Sequence, residues 1–226
     1  MYGNIKYDLD YPDDLNARSE YYNSLLKLDN KQVIIAASTH LGEEEIIIKS
    51  YQRLKSKFNN LYLILVPRHP HRFDAVHKLC NVNKFRVIKY TDFSNNAELL
   101  KDSDILLLNT MGKLLYFYNL ADIAFVGGSL VKNIGCHNVL EPAMFKLPIV
   151  IGDSYFNYTN IVNNLSSNSA INIAKNDTDL DGIFIKLLSN NLLRQAQGSS
   201  AFTEFTKGQG VLEKTLIKLD FLLKTT

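Results

Sequence analysis

The chain has 226 residues, 46% of them hydrophobic, and a net charge of +2. That length buries a sizeable core in one globular domain, and so even a charge balance, with no run of lysines or arginines, excludes nucleic acid as the main partner. Cys80 and Cys136 are its two cysteines, without CxxC or Cys/His spacing, which predicts free thiols in a reducing compartment and argues against structural zinc.

In chain order, residues 1–14 are polar, aromatic and irregular, and read as a lead-in strand or linker rather than core. A first helix is expected over 15–28. Residues 32–37, 61–66, 85–89, 105–108, 123–126 and 149–151 are short, strongly apolar and without in/out alternation, as expected for strands covered on both faces. Between them lie helical patterns. Ile47, Tyr51, Leu54 and Phe58 share a stripe over 43–58, Phe73, Val76 and Cys80 mark another, and shorter helices are expected over 112–120 and 138–145. Past Gly152 the pattern thins to a weak strand at 170–173 and helices near 179–188, 192–205 and 211–223. This βαβ rhythm predicts an α/β, Rossmann-like, doubly wound parallel sheet spanning 1–226 as a single domain, with ligands beyond the carboxyl ends of the strands. No signal peptide follows Met1 and no apolar run is long enough for a bilayer, so the chain reads as soluble.

The loops after strands are therefore where chemistry is expected. Ser38, Thr39, His40, Leu41 and Gly42 precede three acids, Glu43 to Glu45, whose place in a first helical turn suits the helix dipole. Ser38, Thr39 and Gly42 either shape this turn or hydrogen-bond a ligand's phosphate or sugar. Pro67-Arg68-His69-Pro70-His71-Arg72 follows the second strand. Its prolines fix the loop, and Arg68 offers a planar bidentate donor to phosphate, while His71 and Arg72 read as exposed helix-start residues. Met111, followed by Gly112, either packs on a base ring or belongs to the core.

Phe125-Val126-Gly127-Gly128-Ser129 and then Cys136-His137-Asn138-Val139-Leu140-Glu141-Pro142 read as a strand, a glycine pair and a capped helix. Gly127 and Gly128 let backbone N–H groups approach a ligand, and a helix opening near Asn138 adds the positive end of its dipole, an anion and sugar cradle. Asn138 and Glu141 are either a capping box or acceptors for sugar hydroxyls. Asp177, Asp179 and Asp181 resemble a DxD metal pattern but stand where a helix start favours acids.

The ordered set Gly3-Asn4-Ile5-Lys6-Tyr7-Asp8, Ala37-Ser38-Thr39-His40 with Gly42-Glu43-Glu44-Glu45, Leu65-Val66-Pro67-Arg68-His69-Pro70, Asn109-Thr110-Met111-Gly112, Phe125 to Ser129, His137 to Pro142 and Phe156-Asn157 resembles one family. It is that of the 3-deoxy-D-manno-octulosonic acid (Kdo) transferases of lipid A and lipopolysaccharide assembly. The resemblance covers nearly the whole chain, and departs where Cys136 replaces a usual glycine and Val139 a common proline.

The resemblance implies the C-terminal, donor-holding half of a GT-B glycosyltransferase, an inverting enzyme that moves Kdo from CMP-Kdo to a lipid A precursor. It implies that Arg68 contacts the donor phosphate, that Gly127, Gly128 and Ser129 line the nucleotide pocket, and that Asn138 and Glu141 face the donor's phosphate and ribose side; with the loop candidates Ser38, Thr39, Gly42, His69, Met111 and Gly112 these residues make up the expected donor site. It further implies that no cofactor or metal is required. The catalytic general base, the acceptor groove and the membrane-facing surface, at the cytoplasmic side of the bacterial inner membrane, belong to an N-terminal half not in this chain, which alone is expected to be inactive. Two other readings fit parts of the pattern: a nucleotide-binding module or remnant without catalysis, and a sugar-nucleotide epimerase-like domain.

Overall fold

In a computed structural model of the chain, which describes residues 4–93 and 103–224, seven short apolar runs become strands of one parallel sheet. They are β1 (Gln32–Thr39), β2 (Leu61–Pro67), β3 (Val87–Lys89), β4 (Ile105–Leu107), β5 (Ile123–Val126), β6 (Ile149–Gly152) and β7 (Ile171–Ala174), in the order β3-β4-β2-β1-β5-β6-β7. Every residue of β2, β4, β5 and β6 is buried. That explains the absence of alternation: with helices on both faces, no residue of these four strands faces water.

The described helices are α1 (Leu15–Leu26), α2 (Glu43–Lys55), α3 (Phe73–Val82), α4 (Leu114–Tyr118), α5 (Leu140–Met144), α6 (Thr159–Ser167), α7 (Asp177–Leu188), α8 (Asn191–Lys207) and α9 (Val211–Lys224). On one face, Ile47, Tyr51 and Leu54 of α2, Val76 and Cys80 of α3 and Leu180 and Phe184 of α7 pack on Ile34, Leu63, Ile105 and Phe125. On the other, Tyr22 and Leu26 of α1 and Phe117 of α4 pack on Ile35, Ile64 and Leu106, and Leu140, Ile161 and Phe205 extend that layer over β6 and β7. Cys80 and Cys136 are buried free thiols.

The expected α/β class and parallel sheet are observed, and so are most of the expected elements; several boundaries differ. β3 begins at Val87 rather than 85, and α4 and α5 are single short turns where longer helices were expected. α6 is not signalled by the sequence, because its buried Ile161, Val162 and Leu165 are few and are flanked by asparagines and serines that dilute the helical stripe. The lead-in segment, of which residues 1–3 lie outside the described part, is not a free linker. Tyr7 is buried against Gly208, where a Cβ would stand 2.2 Å from the ring, and both Asp8 carboxylate oxygens accept backbone N–H groups of Gly210 and Leu212 at 2.6 Å, at the start of α9.

The functional consequence of the strand order lies at β1. From β1 the chain proceeds to β2 on one side, and it returns from β4 to place β5 on the other. The loops after β1 and β5 thus part in opposite directions, leaving a crevice at their carboxyl ends.

Candidate functional site

Three loops converge on this crevice. In the first, Ser38 takes a left-handed conformation (φ +55°) at a register shift between Ala37 and Thr39. This irregularity turns the end of β1 and half-exposes Ser38 and His40 while burying Thr39. Thr39 Oγ1 donates to Glu44 at 3.2 Å, and the fully buried Glu44 carboxylate pairs with Arg72 at 3.0 Å. Thr39 is therefore not open to a ligand. Arg72, read as an exposed helix-start residue, is a mostly buried counter-ion, because an unpaired carboxylate at Glu44 would be costly in the interior.

The glycine loop is also occupied from within. Glu43, fully buried, extends from the first turn of α2 across the crevice. Its Oε2 accepts the N–H of Gly128 at 2.7 Å and of His40 at 2.9 Å, and its Oε1 accepts those of Ser129 at 3.0 Å and Leu130 at 2.9 Å. Burial raises the Glu43 carboxyl above its ordinary pKa, with the four amide bonds opposing. The glycine-pair amides do form an anion cradle, but its anion is this side chain. Gly127 permits the approach, since a Cβ there would lie 2.5 Å from Ser38 O and 2.8 Å from Glu43 Oε2. Ser129 is likewise engaged: its hydroxyl donates to Val126 O at 2.6 Å and accepts Gly152 N–H at 2.8 Å. Gly127, Gly128 and Ser129 thus build the wall of the site rather than present groups to a ligand.

Four imidazoles and one guanidinium gather at the mouth. His40 Nε2 and His137 Nε2 are 2.6 Å apart, with ring centroids separated by 4.9 Å and ring planes inclined by 4°. Centroids this far apart in nearly parallel rings, with the two nitrogens between them, mean that the rings meet edge to edge and share one proton in an N–H···N bond. His69 sets its ring edge-on to His40 at 5.2 Å and lies beside His71 at 5.5 Å. Burial lowers the pKa of both bonded rings, aided by the neighbouring positive charge, and His137 falls to about 4. Arg68 stands just beyond β2, its backbone N–H bound to Thr39 O at 2.9 Å. Its side chain is exposed and, among the described residues, makes no ion pair. Its charge reaches His40, His137 and Glu141.

Asn138 and Glu141 are arranged otherwise than in a capping box. α5 starts at Leu140, and Asn138 Oδ1 accepts the Leu140 N–H at 3.1 Å while its Nδ2 donates to Glu141 Oε1 at 3.3 Å. A five-residue helix has too few aligned peptides to bring much dipole, so the expected helix-end contribution is small. Glu141 is half-buried, and burial raises its pKa against the pull of Asn138 and Arg68. Asn157 braces the preceding loop by donating to Cys136 O at 2.9 Å. Met111 and Gly112 are exposed after β4, with Gly112 at φ +74° and open space around it, so Met111 is not core. Gly42 turns the chain into α2 at φ +94°.

The acids of the DxD-like pattern serve α7 instead. Asn176 caps Asp179 N–H at 2.9 Å, Asp179 Oδ2 accepts Lys175 N–H at 3.1 Å, and Asp181 pairs with Arg53 and Ser50. Among the described residues no group of three or more histidines, cysteines or acids is placed to hold a metal.

Ser38, Arg68, His69, Asn138 and Glu141 are thus left on the loops that border the crevice, while Met111 and Gly112 are exposed after β4, two strands away from β1. Sequence reasoning missed His40, His137 and the bridging Glu43. Each histidine lies in a quoted motif, but 97 residues separate them, and only the pairing of β1 with β5 brings them together.

No family model matches the chain. It is 39% identical over 215 residues to a 3-deoxy-D-manno-octulosonic acid transferase of Haemophilus influenzae, across 95% of this chain and 49% of that protein. The chain thus spans about half the length of the curated relatives it matches. Among solved structures it resembles the C-terminal CMP-Kdo binding domain of WaaA from Acinetobacter baumannii, with a TM-score of 0.77 and 29% identity over 84% of this chain and 97% of that one. The fold is also that of the C-terminal domain of a glycosyl transferase group 1 family protein, LpcC, from Francisella tularensis, at a TM-score of 0.59 and 15% identity over 90% of this chain and 95% of that one. The chain is therefore a homologue of the 3-deoxy-D-manno-octulosonic acid transferases over about half their length, with the architecture of a GT-B C-terminal domain.

Proposed function

We propose that this chain is the donor-binding half of an inverting glycosyltransferase, holding CMP-Kdo at the crevice between the loops after β1, β2 and β5. The observation that carries the reading is the placement of Arg68. It is a guanidinium left without an ion-pair partner among the described residues, at the carboxyl end of a buried strand and next to the switch point. A phosphate seated there receives a charge-assisted bidentate bond. Glu141 and Asn138 lie on the same side, where a ribose attached to that phosphate offers hydroxyls to the carboxylate, and Met111 stands beyond as an apolar surface for the base.

In the complete enzyme an acceptor hydroxyl on a lipid A precursor attacks the anomeric carbon of Kdo while CMP leaves. The negative charge that grows on the leaving phosphate falls on Arg68, so that side-chain electrostatics rather than a metal stabilises the departure. The carboxylate that takes the acceptor's proton, together with the acceptor groove and membrane contact, is assigned to the half of the relatives' length outside this chain. None of the described helices is long and apolar enough to cross a membrane.

The test is calorimetric titration of the chain with CMP and with cytidine, followed by incubation with CMP-Kdo and lipid A precursor. The expected result is saturable CMP binding that exceeds cytidine binding, and no sugar transfer by this chain alone. A folded chain that does not bind CMP overturns the donor-site reading, and Kdo transfer by the chain alone overturns the division of labour.

A further inference from the structure

The edge-to-edge imidazole pair has a property that a single histidine lacks. With one proton between Nε2 atoms 2.6 Å apart, one ring donates from Nε2 and leaves its Nδ1 bare, while the other accepts at Nε2 and carries its proton on Nδ1. A further proton added at the bare Nδ1 converts the donor ring to an imidazolium without breaking the N–H···N bond. The pair can therefore gain a full positive charge at fixed geometry.

The surroundings decide when it does so. From the loop after β2, Arg68, His69 and Arg72 press on the pair with positive or potentially positive charge, and His71 lies behind His69. From α2, Glu43 binds the His40 N–H but spreads its charge over four amides. Glu44 is neutralised by Arg72. From α5, Glu141 is coupled to Arg68. Burial disfavours the charged form, Arg72 and Glu44 offset each other, and Arg68 is the exposed cation nearest the pair, so the pair stays neutral in the empty site. An anion placed beside Arg68 reverses this balance, because it screens the guanidinium and attracts a second cation.

We propose that the His40–His137 pair is a second anion-binding group of this site, neutral when the site is empty and loaded with one proton from solvent when a phosphodiester is bound beside Arg68. This deepens the donor-site reading and rests on it. The charge uptake raises the affinity for an anionic donor and, by linkage, tightens it as pH falls, by up to about tenfold per pH unit between the titration points of the free and the liganded pair. Once the phosphodiester departs, the proton returns to solvent.

The experiment uses the 226-residue chain and the methyl phosphodiester of CMP, whose phosphate keeps a single negative charge and whose cytosine stays neutral from about pH 6 to 8, so that the ligand itself titrates nothing there. Calorimetry in buffers of different ionisation enthalpy counts the protons taken up on binding. Nitrogen-15 shifts of the imidazoles identify the group that takes them. The expected result is proton uptake that rises toward one as pH is lowered from 8 to 6, with His40 or His137 moving into the imidazolium range. Uptake is lost in the double variant His40→Gln, His137→Gln, which still binds through Arg68, more weakly. Binding without proton uptake, or uptake with His40 and His137 shifts unchanged, overturns this proposal and leaves the donor site standing. Absence of binding at every pH overturns the donor-site reading itself, and this proposal with it. The wild-type shifts decide the matter even where the double variant does not fold.

Discussion

The carboxylate of Glu43 accepts the backbone N–H of Gly128 at 2.7 Å, joining the first turn of the helix after β1 to the loop after β5. The bond crosses the point where the sheet's winding reverses, and with the bonds to Ser129 and Leu130 it fixes the wall on which any ligand must lie. Removing that acceptor strands several buried donors at once. Glu43→Ala is expected to destabilise the domain by about 3 kcal/mol or more, since each buried unpaired polar group costs roughly 1–3 kcal/mol. Urea denaturation measures this; a change below about 1 kcal/mol would mean that the loop is held by other contacts.

Acidification provides a second test. His137, ordinarily near 6.5, is depressed to about 4 by burial, and His40 is lowered in the same direction. In the ligand-free protein the folded state then binds fewer protons than the unfolded chain below pH 6.5. The stability associated with the neutral pair is complete above that value and is lost as pH falls toward 4. Denaturation midpoints of wild type and His137→Gln compared at pH 7.5 and pH 5 should show a smaller acid loss in the variant. Equal losses would show that His137 titrates as freely in the folded chain as in the unfolded one.

Arg68→Ala is expected to weaken CMP by about tenfold to a hundredfold, the equivalent of a charge-assisted bond worth roughly 1.5–3 kcal/mol. Cytidine, without a phosphate, should bind almost as before. Calorimetry with both ligands makes the comparison, and equal weakening would assign Arg68 a structural role.

The parallel sheet was legible because its strands are short, wholly apolar runs, such as Leu61 to Val66 and Ile123 to Val126, separated by helical periodicity. Arg68 was legible because an arginine between two prolines at a strand end has little structural work to do. The role of Glu43 was not. An acid in a first helical turn has a sufficient local explanation in the dipole, and nothing in the local pattern says that its carboxylate will reach residues 85 to 87 positions later. The spacing of Asn138 and Glu141 misled in the opposite sense. It matches a capping box, yet the helix starts two residues later and Asn138 bonds Leu140 and Glu141 instead. The imidazole pair depends on strand order, which a periodicity reading does not supply.

Glu141 separates a sugar-binding role from a structural one. Glu141→Gln retains an acceptor for the Asn138 amide and should change stability little. CMP affinity should fall by about 1 kcal/mol or more, because bonds to a charged acceptor are stronger than neutral ones. 2′,3′-Dideoxy-CMP, without the ribose hydroxyls, should bind both proteins equally. Unchanged CMP affinity in the variant would confine Glu141 to its bond with Asn138.

The location of the donor site is tested most directly by mapping backbone amide shifts of the isotopically labelled chain during titration with CMP. The account predicts saturable changes concentrated at residues 38–42, 68–71, 109–112 and 127–141, the loops that meet at the carboxyl ends of β1, β2, β4 and β5. Saturable changes centred elsewhere, for instance around the cavity of about 430 Å³ lined by Tyr11, Asn16 and Lys146, or an unchanged spectrum from a folded protein at saturating CMP, would contradict it.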